Sequence, residues 1–461
     1  MMLVYGILHL LYGVFYQPYF WDELGVYSRS AIHMYQHGLG ILPASVPDDL
    51  SRGHPLLCPF YFALAFKIFG CQPMVAHFAA AVLNMSGFCF VYGILKKYMQ
   101  PYTAMASCLA IFVQPLFLSQ SVLLLPEMPL MVFTLAAVYF YLEGKYFLLM
   151  LFSILALQTK ESAIVLPFSF LTAELFRHKK LNSKNLILIF LLPLLFFAGF
   201  FAVQKLQRGY YFYPLHTSLA SGDWYFIKER LQHFADFFIY AHGHLLLIFS
   251  IIIFGTFYMI RQKLNLKSIL QSRVLIMPII IIACVSFLIF NYYLARYTLY
   301  FFVFIYLLSY LLLSKMPGVT MSAISLYSLL ITATGVYFWN RDKIYTDTDF
   351  TYTRHIKSLQ MAINELKNKE YNGKNIGMNF PASAVYWNDL NGYNAGKLHQ
   401  AVSTNDSLPL KEYILLTYPG DMGDTLRYNK QYTMYKEFRS GYAYCRLYRQ
   451  IPDADSVVIQ Q

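Results

Sequence analysis

Four short polar runs interrupt an otherwise apolar chain, and each carries an acid, a base or both. They are Trp21-Asp22-Glu23, Pro126-Glu127-Met128-Pro129, Thr159-Lys160-Glu161, and the Arg296-Tyr297 that ends Tyr292–Tyr297. Arg52 and His54 add basic character between the first two. Taken singly, each has an ordinary explanation. Asp22 and Glu23 suit a solvated loop, and Glu127 suits a helix N-terminus. Lys160 and Glu161 suit each other, Arg296 suits a side chain snorkelling to a membrane surface, and His54 before Pro55 suits a helix start. Taken together they suit one chemistry. A carboxylate deprotonates an acceptor hydroxyl or amine. Cations beside it hold an anionic phosphate and stabilise its charge as it leaves.

The elements that must bring these runs together are membrane helices. The 461 residues are 57% hydrophobic and only 13% charged, against about 25% charged in a soluble domain. Apolar runs of about 20 residues, the length that crosses a bilayer as a helix, recur along most of the chain. Many of the 40 Tyr and 40 Phe sit near the ends of these runs, where aromatic rings favour the membrane interface. Eleven spans are predicted, at 2–17, 74–95, 102–120, 123–141, 146–158, 162–177, 186–204, 243–260, 274–291, 297–314 and 318–338. With the N-terminus in the cytoplasm, the short inner loops carry Lys96, Lys97, Lys145, the Arg177–Lys180 cluster with Lys184, then Arg261, Lys263, Lys267 and Lys315. That satisfies the positive-inside rule. Residues 17–73, 204–242 and everything after 339 then lie outside, and all four polar runs fall at the outer ends of helices. A transporter more often places such residues near the bilayer midplane.

The fold class predicted is therefore an α-helical polytopic membrane domain over residues 1–339, followed by a small extracytoplasmic α/β domain over 340–461. Within the first outer loop, 17–73, the segment from His54 to Gly70 is apolar on one side and reads as a helix lying on the membrane. After Asn340 the chain turns polar, with turn signals at Asn372-Gly373, Asn391-Gly392 and Pro419-Gly420. Residues 352–369 read as an amphipathic helix, and Asn375–Asn379, Glu412–Thr417 and Tyr442–Tyr448 as strands. Tyr386, Trp387, Asn388 and Asp389 suit glycan contact, but an ordinary turn and core suits them better.

Other classes fall away. The net charge of +12 lies largely in short loops between apolar runs and forms no basic stripe on a polar element, so nucleic acid is not an expected partner. The six cysteines form no framework: Cys89, Cys108 and Cys284 lie inside apolar runs, and Cys58 and Cys71 are thirteen residues apart, about 20 Å if helical, too far for a bridge. The apolar N-terminus lacks a basic n-region and a cleavage site, so it reads as a first membrane helix rather than a signal peptide.

The order and spacing of the motifs resemble the integral-membrane glycosyltransferases of the GT-C fold, in particular the protein O-mannosyltransferases and the aminoarabinose transferases that modify lipid A. The likeness covers roughly residues 15–300. It rests on Asp22-Glu23 followed by Tyr27, Ala31, Met34 and Gly38; on Gly53-His54-Pro55-Leu56 leading to Phe69-Gly70; and on Glu127. It is completed by Thr159-Lys160-Glu161 with Leu166-Pro167 and by Arg296-Tyr297. Leu56 stands where the family has a second proline, and Glu127 where relatives often have Asp. The resemblance implies an inverting hexosyl or pentosyl transfer from a polyprenyl-phosphate sugar to a cell-envelope lipid, glycan or protein, at the outer face of a bacterial inner membrane. It implies Asp22 as general base, with Glu23 and Glu127 positioning the acceptor or a metal. Lys160, Arg296, Arg52 and His54 then bind the donor phosphate, and membrane lipid surrounds the prenyl tail. A divalent metal varies across the fold; Asp22 and Glu127 are the ligands this sequence offers it, and no other cofactor is implied.

Two competing readings make different demands. A lipid-linked glycan flippase needs charges along a path through the bilayer, and the inner halves of the spans are almost free of them. A polysaccharide ligase or polymerase needs a large outer loop rich in Arg and His, and 204–242 carries Arg208, His216, Arg230 and His233.

Overall fold

A computed structural model describes residues 1–178, 182–262, 270–341, 347–395, 401–403, 412–418 and 431–451. Of the predicted features, Lys180, Lys263 and Lys267 of the inner loops and the Pro419-Gly420 turn lie outside the described residues. Helices stand at each of the eleven predicted positions. Among the described residues six are long and apolar enough to cross a membrane: Pro73–Leu95, Ser183–Arg208, Trp224–Ile260, Arg273–Phe290, Ala295–Ser314 and Met321–Phe338. Met2–Tyr12, Leu57–Phe69, Pro101–Phe112 and Tyr146–Thr159 are shorter apolar helices. The molecule is an integral membrane protein, mostly helical, with a small C-terminal sheet.

The helix boundaries follow local chemistry where they depart from the predicted spans. The first helix stops at Tyr12 rather than 17, because Gly13 adopts a left-handed φ of 61° and its N–H closes on the His9 carbonyl. The third breaks into Pro101–Phe112 and Pro115–Gln120, since Pro115 has no N–H to continue the ladder. Gln114 covers the break by donating Nε2–H to the Ala110 and Ile331 carbonyls at 2.7 and 2.9 Å. The fourth begins at Glu127, not 123. Residues 204–242, predicted as a loop, contain a helix, Trp224–Tyr240, which meets His244–Gln262 across a kink at His242-Gly243.

Two helices form the centre of the bundle. Leu299–Ser314 and Glu127–Glu143 are buried along nearly their whole lengths. Their burial is what fixes the residues at their ends in space, and both begin at the end of the bundle nearest the sheet domain. At the opposite end lie Glu174 with Arg177, and Lys97 with Glu143.

The sheet domain opens with the helix Tyr352–Glu365, which buries Tyr352, Ile356, Leu359 and Ile363. Its strands are β1 (Ile376–Met378), β2 (Ala401–Ser403), β3 (Tyr413–Tyr418), β4 (Tyr432–Ser440) and β5 (Ala443–Gln450), in the order β2-β1-β3-β5-β4. β1 runs parallel to both neighbours; β5 is antiparallel to β3 and β4. Gly441, at φ 61°, closes the β4–β5 hairpin. β2 and β4 were not predicted from the sequence. The domain shares its core with the membrane helices: one apolar cluster runs from Tyr5 and Leu8 through Phe62 and Leu124 to Phe350, Leu415 and Leu447.

Candidate active site

The Trp21-Asp22-Glu23 turn is held from both sides. Trp21 takes φ 49°, a left-handed conformation uncommon for a bulky residue. The two acids then point to different partners. Glu23 is fully buried. Its Oε1 accepts from the Leu124 N–H at 2.7 Å and lies 3.0 Å from His77 Nε2, while its Oε2 accepts from the Phe20 N–H at 3.1 Å. His77 Nδ1 lies 3.3 Å from the Phe15 carbonyl oxygen, to which it donates. Glu23 thus pins the turn to the helix Pro73–Leu95 through His77 and to the loop at Leu124, and does not face the other predicted site residues. Asp22 remains 26% exposed and pairs with Arg296.

The sheet domain closes over this turn. The Phe380 ring packs edge-on against Trp21 with centroids 5.2 Å apart. It also lies over Gly25, where any Cβ would come within 2.9 Å of Phe380 Cε2. The Asn391 carbonyl accepts from the Tyr19 N–H at 3.0 Å.

Arg296 is the hub. It lies in the 3-10 turn Ala295–Thr298, just before the central helix Leu299–Ser314, and is 3% exposed. Three carboxylates surround it. Asp22 takes Nη2, Asp347 takes Nη1, and Glu127 Oε1 lies 3.7 Å from Nε. A cation at a helix N-terminus opposes the macrodipole, so the carboxylates are what make this position tenable. Glu127, in the first turn of its own helix, favours the dipole and accepts from Lys160 Nζ at 2.8 Å. Lys160 follows the C-terminus of Tyr146–Thr159, and its Nζ sits 3.4 Å from the centre of the Tyr297 ring. Burial opposes the Lys160 charge, but Glu127 and Tyr297 outweigh it and raise the ammonium above the usual lysine range. Glu127 Oε2 and Arg296 Nε are buried without a hydrogen-bond partner among the described residues, so the cluster keeps polar capacity that a substrate can fill.

A second group adjoins through Glu161. His54 Nδ1 lies 3.0 Å from Glu161 Oε2, and the His54 and His216 rings are 4.5 Å apart. Burial works against the Glu161 charge, yet His54 and Lys160 beside it bring its carboxyl down to about 2. Burial together with His54 lowers His216 to about 4. Arg52, at φ 48°, is half-exposed, and its guanidinium makes no ion pair among the described residues.

Of the predicted metal ligands, Asp22 is paired with Arg296, and Glu127 gives Oε1 to Lys160 while its Oε2 has no partner among the described residues. His54, Glu161 and His216 form a group that could hold an ion, since one ligand atom from each lies within 4.8 Å of the others. Of the basic residues in 204–242, His216 alone joins this group. Arg208 pairs with Asp48, Arg230 donates to the Ser221 and Ile289 carbonyls, and His233 sits by Glu229. Asn388 caps the Leu390 N–H at 2.7 Å, as a turn residue does, and Trp387 stays 46% exposed with the Arg29 guanidinium 4.6 Å from its ring centre.

Beyond Glu161 the chain lines an apolar recess. Ile164, Val165, Phe168, Ser169 and Thr172 face Ile279 and Ala283 across a cavity of about 250 Å³.

Comparison with known proteins agrees with this architecture. Residues 53–203 match the profile of the family described as dolichyl-phosphate-mannose-protein mannosyltransferase. No curated protein matches the chain. Among solved structures, the chain is similar to the crystal structure of ArnT from Cupriavidus metallidurans in the apo state, with 12% identity, 97% of each chain covered and a TM-score of 0.61. It is also similar to the same protein bound to undecaprenyl phosphate, with 12% identity, 98% of each chain covered and a TM-score of 0.59. The fold is the GT-C fold, as the motifs led us to expect.

Proposed function

We propose that this GT-C-fold membrane protein is a glycosyltransferase that moves a sugar, with inversion, from a polyprenyl-phosphate donor to a hydroxyl or amine of an envelope lipid, glycan or protein. The site faces the extracytoplasmic side of a bacterial inner membrane, with the N-terminus in the cytoplasm and the sheet domain outside. One observation carries the reading. Asp22, Glu127, Lys160 and Arg296, from four distant segments, converge on one partly open cluster, and an apolar recess starts at Ile164, four residues along the chain from Lys160. The matched mannosyltransferase profile and the ArnT fold support it. So does the ArnT structure bound to undecaprenyl phosphate, a lipid of the proposed donor's class.

Asp22 is the general base, being the carboxylate of the cluster that combines partial exposure with a place under the sheet domain, where an acceptor must enter. It takes the acceptor proton as the acceptor oxygen or nitrogen bonds to the anomeric carbon. The bond from that carbon to the phosphate oxygen breaks, and polyprenyl phosphate leaves. Arg296 and Lys160 hold the phosphate, with Arg52 and His54 at its edge, and the prenyl tail follows the recess past Ile164 and Val165. Glu127 fixes Lys160 and Arg296 from beneath. Glu23 acts on the fold of the turn rather than on the acceptor. A divalent ion on His54, Glu161 and His216 would add positive charge beside the phosphate.

The test is Asp22→Asn, read by mass spectrometry of envelope lipids and glycoproteins in cells with wild-type, variant or no gene. Loss of a general base lowers the rate by roughly 10²- to 10⁴-fold, so the modified species should vanish while the variant still folds. Full modification by Asp22→Asn would refute the assignment.

A further inference from the structure

Asp347 was not among the residues that the motifs suggested, yet it takes one of the two Nη arms of Arg296. It lies where the chain passes from the last apolar helix, Met321–Phe338, into the sheet domain. Its backbone is fixed independently of its side chain. The Asp347 carbonyl accepts from Ser119 Oγ at 3.1 Å and from Gln120 Nε2 at 2.6 Å, both buried. Three residues on, Phe350 donates its N–H to the Trp339 carbonyl at 2.8 Å and stacks on Tyr12 with centroids 4.8 Å apart. Asp349 accepts from the Thr351 N–H at 2.7 Å and starts the helix Tyr352–Glu365. The carboxylate of Asp347 is therefore presented to Arg296 from a rigid support.

That placement answers a problem set by the site itself. A guanidinium facing a carboxylate prefers a bidentate pair, the strongest form of the interaction. Were Arg296 to close on Asp22 with both arms, the base would be masked and the guanidinium lost to the phosphate. We propose that Asp347 is a positioning residue that holds one arm of Arg296 and so prevents its bidentate closure on Asp22, leaving the other arm on a single bond to Asp22 that the donor phosphate can share or displace. The inference rests on the reading of Asp22 and Arg296 given above. It also ties the geometry of the site to the seating of the sheet domain, because the stretch of chain carrying Asp347 is anchored to both.

The experiment uses the full-length protein in detergent micelles, with undecaprenyl phosphate as the probe. Asp347→Asn should weaken binding about tenfold, because an amide oxygen holds the Nη arm less tightly than a carboxylate does and lets it swing towards Asp22. Asp347→Glu should stay within a few-fold of wild type. The decisive variant is the double substitution Asp347→Asn with Asp22→Asn. The amide then at position 22 offers Arg296 no bidentate carboxylate, so binding should return to near the wild-type value although transfer stays absent. A merely structural role for Asp347 predicts weak binding that the second substitution does not relieve, and a purely repulsive role predicts tighter binding in Asp347→Asn; either result overturns the proposal, as does an Asp347→Glu variant as impaired as Asp347→Asn. Failure here with Asp22→Asn still inactive leaves the proposed function standing, whereas an active Asp22→Asn removes both.

Discussion

The Lys160–Glu127 pair offers the sharpest quantitative test of the cluster. The charges stand 2.8 Å apart and are almost fully buried. At an effective dielectric of about 20 their gross attraction is roughly 6 kcal/mol. Desolvation consumes much of this, and measured couplings of close charge pairs fall in the range of about 1.5–7 kcal/mol. The single substitutions differ in what they leave behind. Glu127→Gln strands a buried ammonium at a cost of about 3–5 kcal/mol, of which the Tyr297 face recovers at most about 2. Lys160→Met leaves Glu127 with Arg296 at 3.7 Å, so its cost is smaller, about 1–3 kcal/mol. The double variant removes both charges and keeps both volumes, and should cost less than Glu127→Gln alone. Equilibrium unfolding of the four proteins in mixed dodecyl sulfate and dodecyl maltoside micelles, followed by circular dichroism, reads these values. We expect a coupling of about 2–4 kcal/mol. Additivity within about 0.5 kcal/mol would show that the two groups do not sense each other, and the phosphate-side geometry would lose its basis.

Other expectations follow from single contacts. Glu23→Gln should lower stability by about 2–4 kcal/mol through the His77 pair and two backbone donors, while the folded fraction, isolated by size-exclusion chromatography, still binds undecaprenyl phosphate. Gly25→Val should unseat Phe380, costing about 1–3 kcal/mol, and limited proteolysis should then release the sheet domain. Ala283→Trp should fill the recess and weaken undecaprenyl phosphate binding more than tenfold, with an unchanged melting temperature. Glu161 has a folded-state carboxyl near 2, below its ordinary 4.5. Its contribution to stability is therefore complete above about pH 4.5 and is lost as pH falls towards 2; thermal melts of wild type should decline more steeply across that window than those of Glu161→Gln.

What the sequence disclosed, and what it did not, divides along physical lines. The helices were legible because apolar length and flanking polar runs report directly on a bilayer. Their ends were less so: Gly13 and Pro115 act through one dihedral angle and one missing N–H, which a hydropathy window averages away. β3 and β5 showed as apolar runs. β4 did not, because an edge strand exposed on most of its residues has no apolar alternation to reveal it. Asp22, Glu127, Lys160 and Arg296, which the structure brings together, stood out in the sequence because each interrupts an apolar run. Asp347 was missed for the opposite reason: it lies in the polar stretch after the last span, where an acid attracts no notice. Adjacent letters can also mislead. Asp22 and Glu23 looked like one acidic pair, but the turn at Trp21 sends them to opposite partners.

The unequal charges around Arg296 bear on how the site works. One guanidinium and one ammonium face Asp22, Glu127 and Asp347, so the inner cluster carries one carboxylate more than it has cations. Burial raises the Asp347 carboxyl even against the pull of Arg296, which places the strain of that imbalance on the residue farthest along the chain. A phosphate entering from the side of His54 and Arg52 meets additional positive charge before it reaches this centre. On the proposed function Asp22 then gives up part of its hold on Arg296 to the phosphate, and its carboxylate is freed towards the acceptor. Donor binding and activation of the base are on this view one rearrangement of a single guanidinium, and Asp347 sets how far it can go.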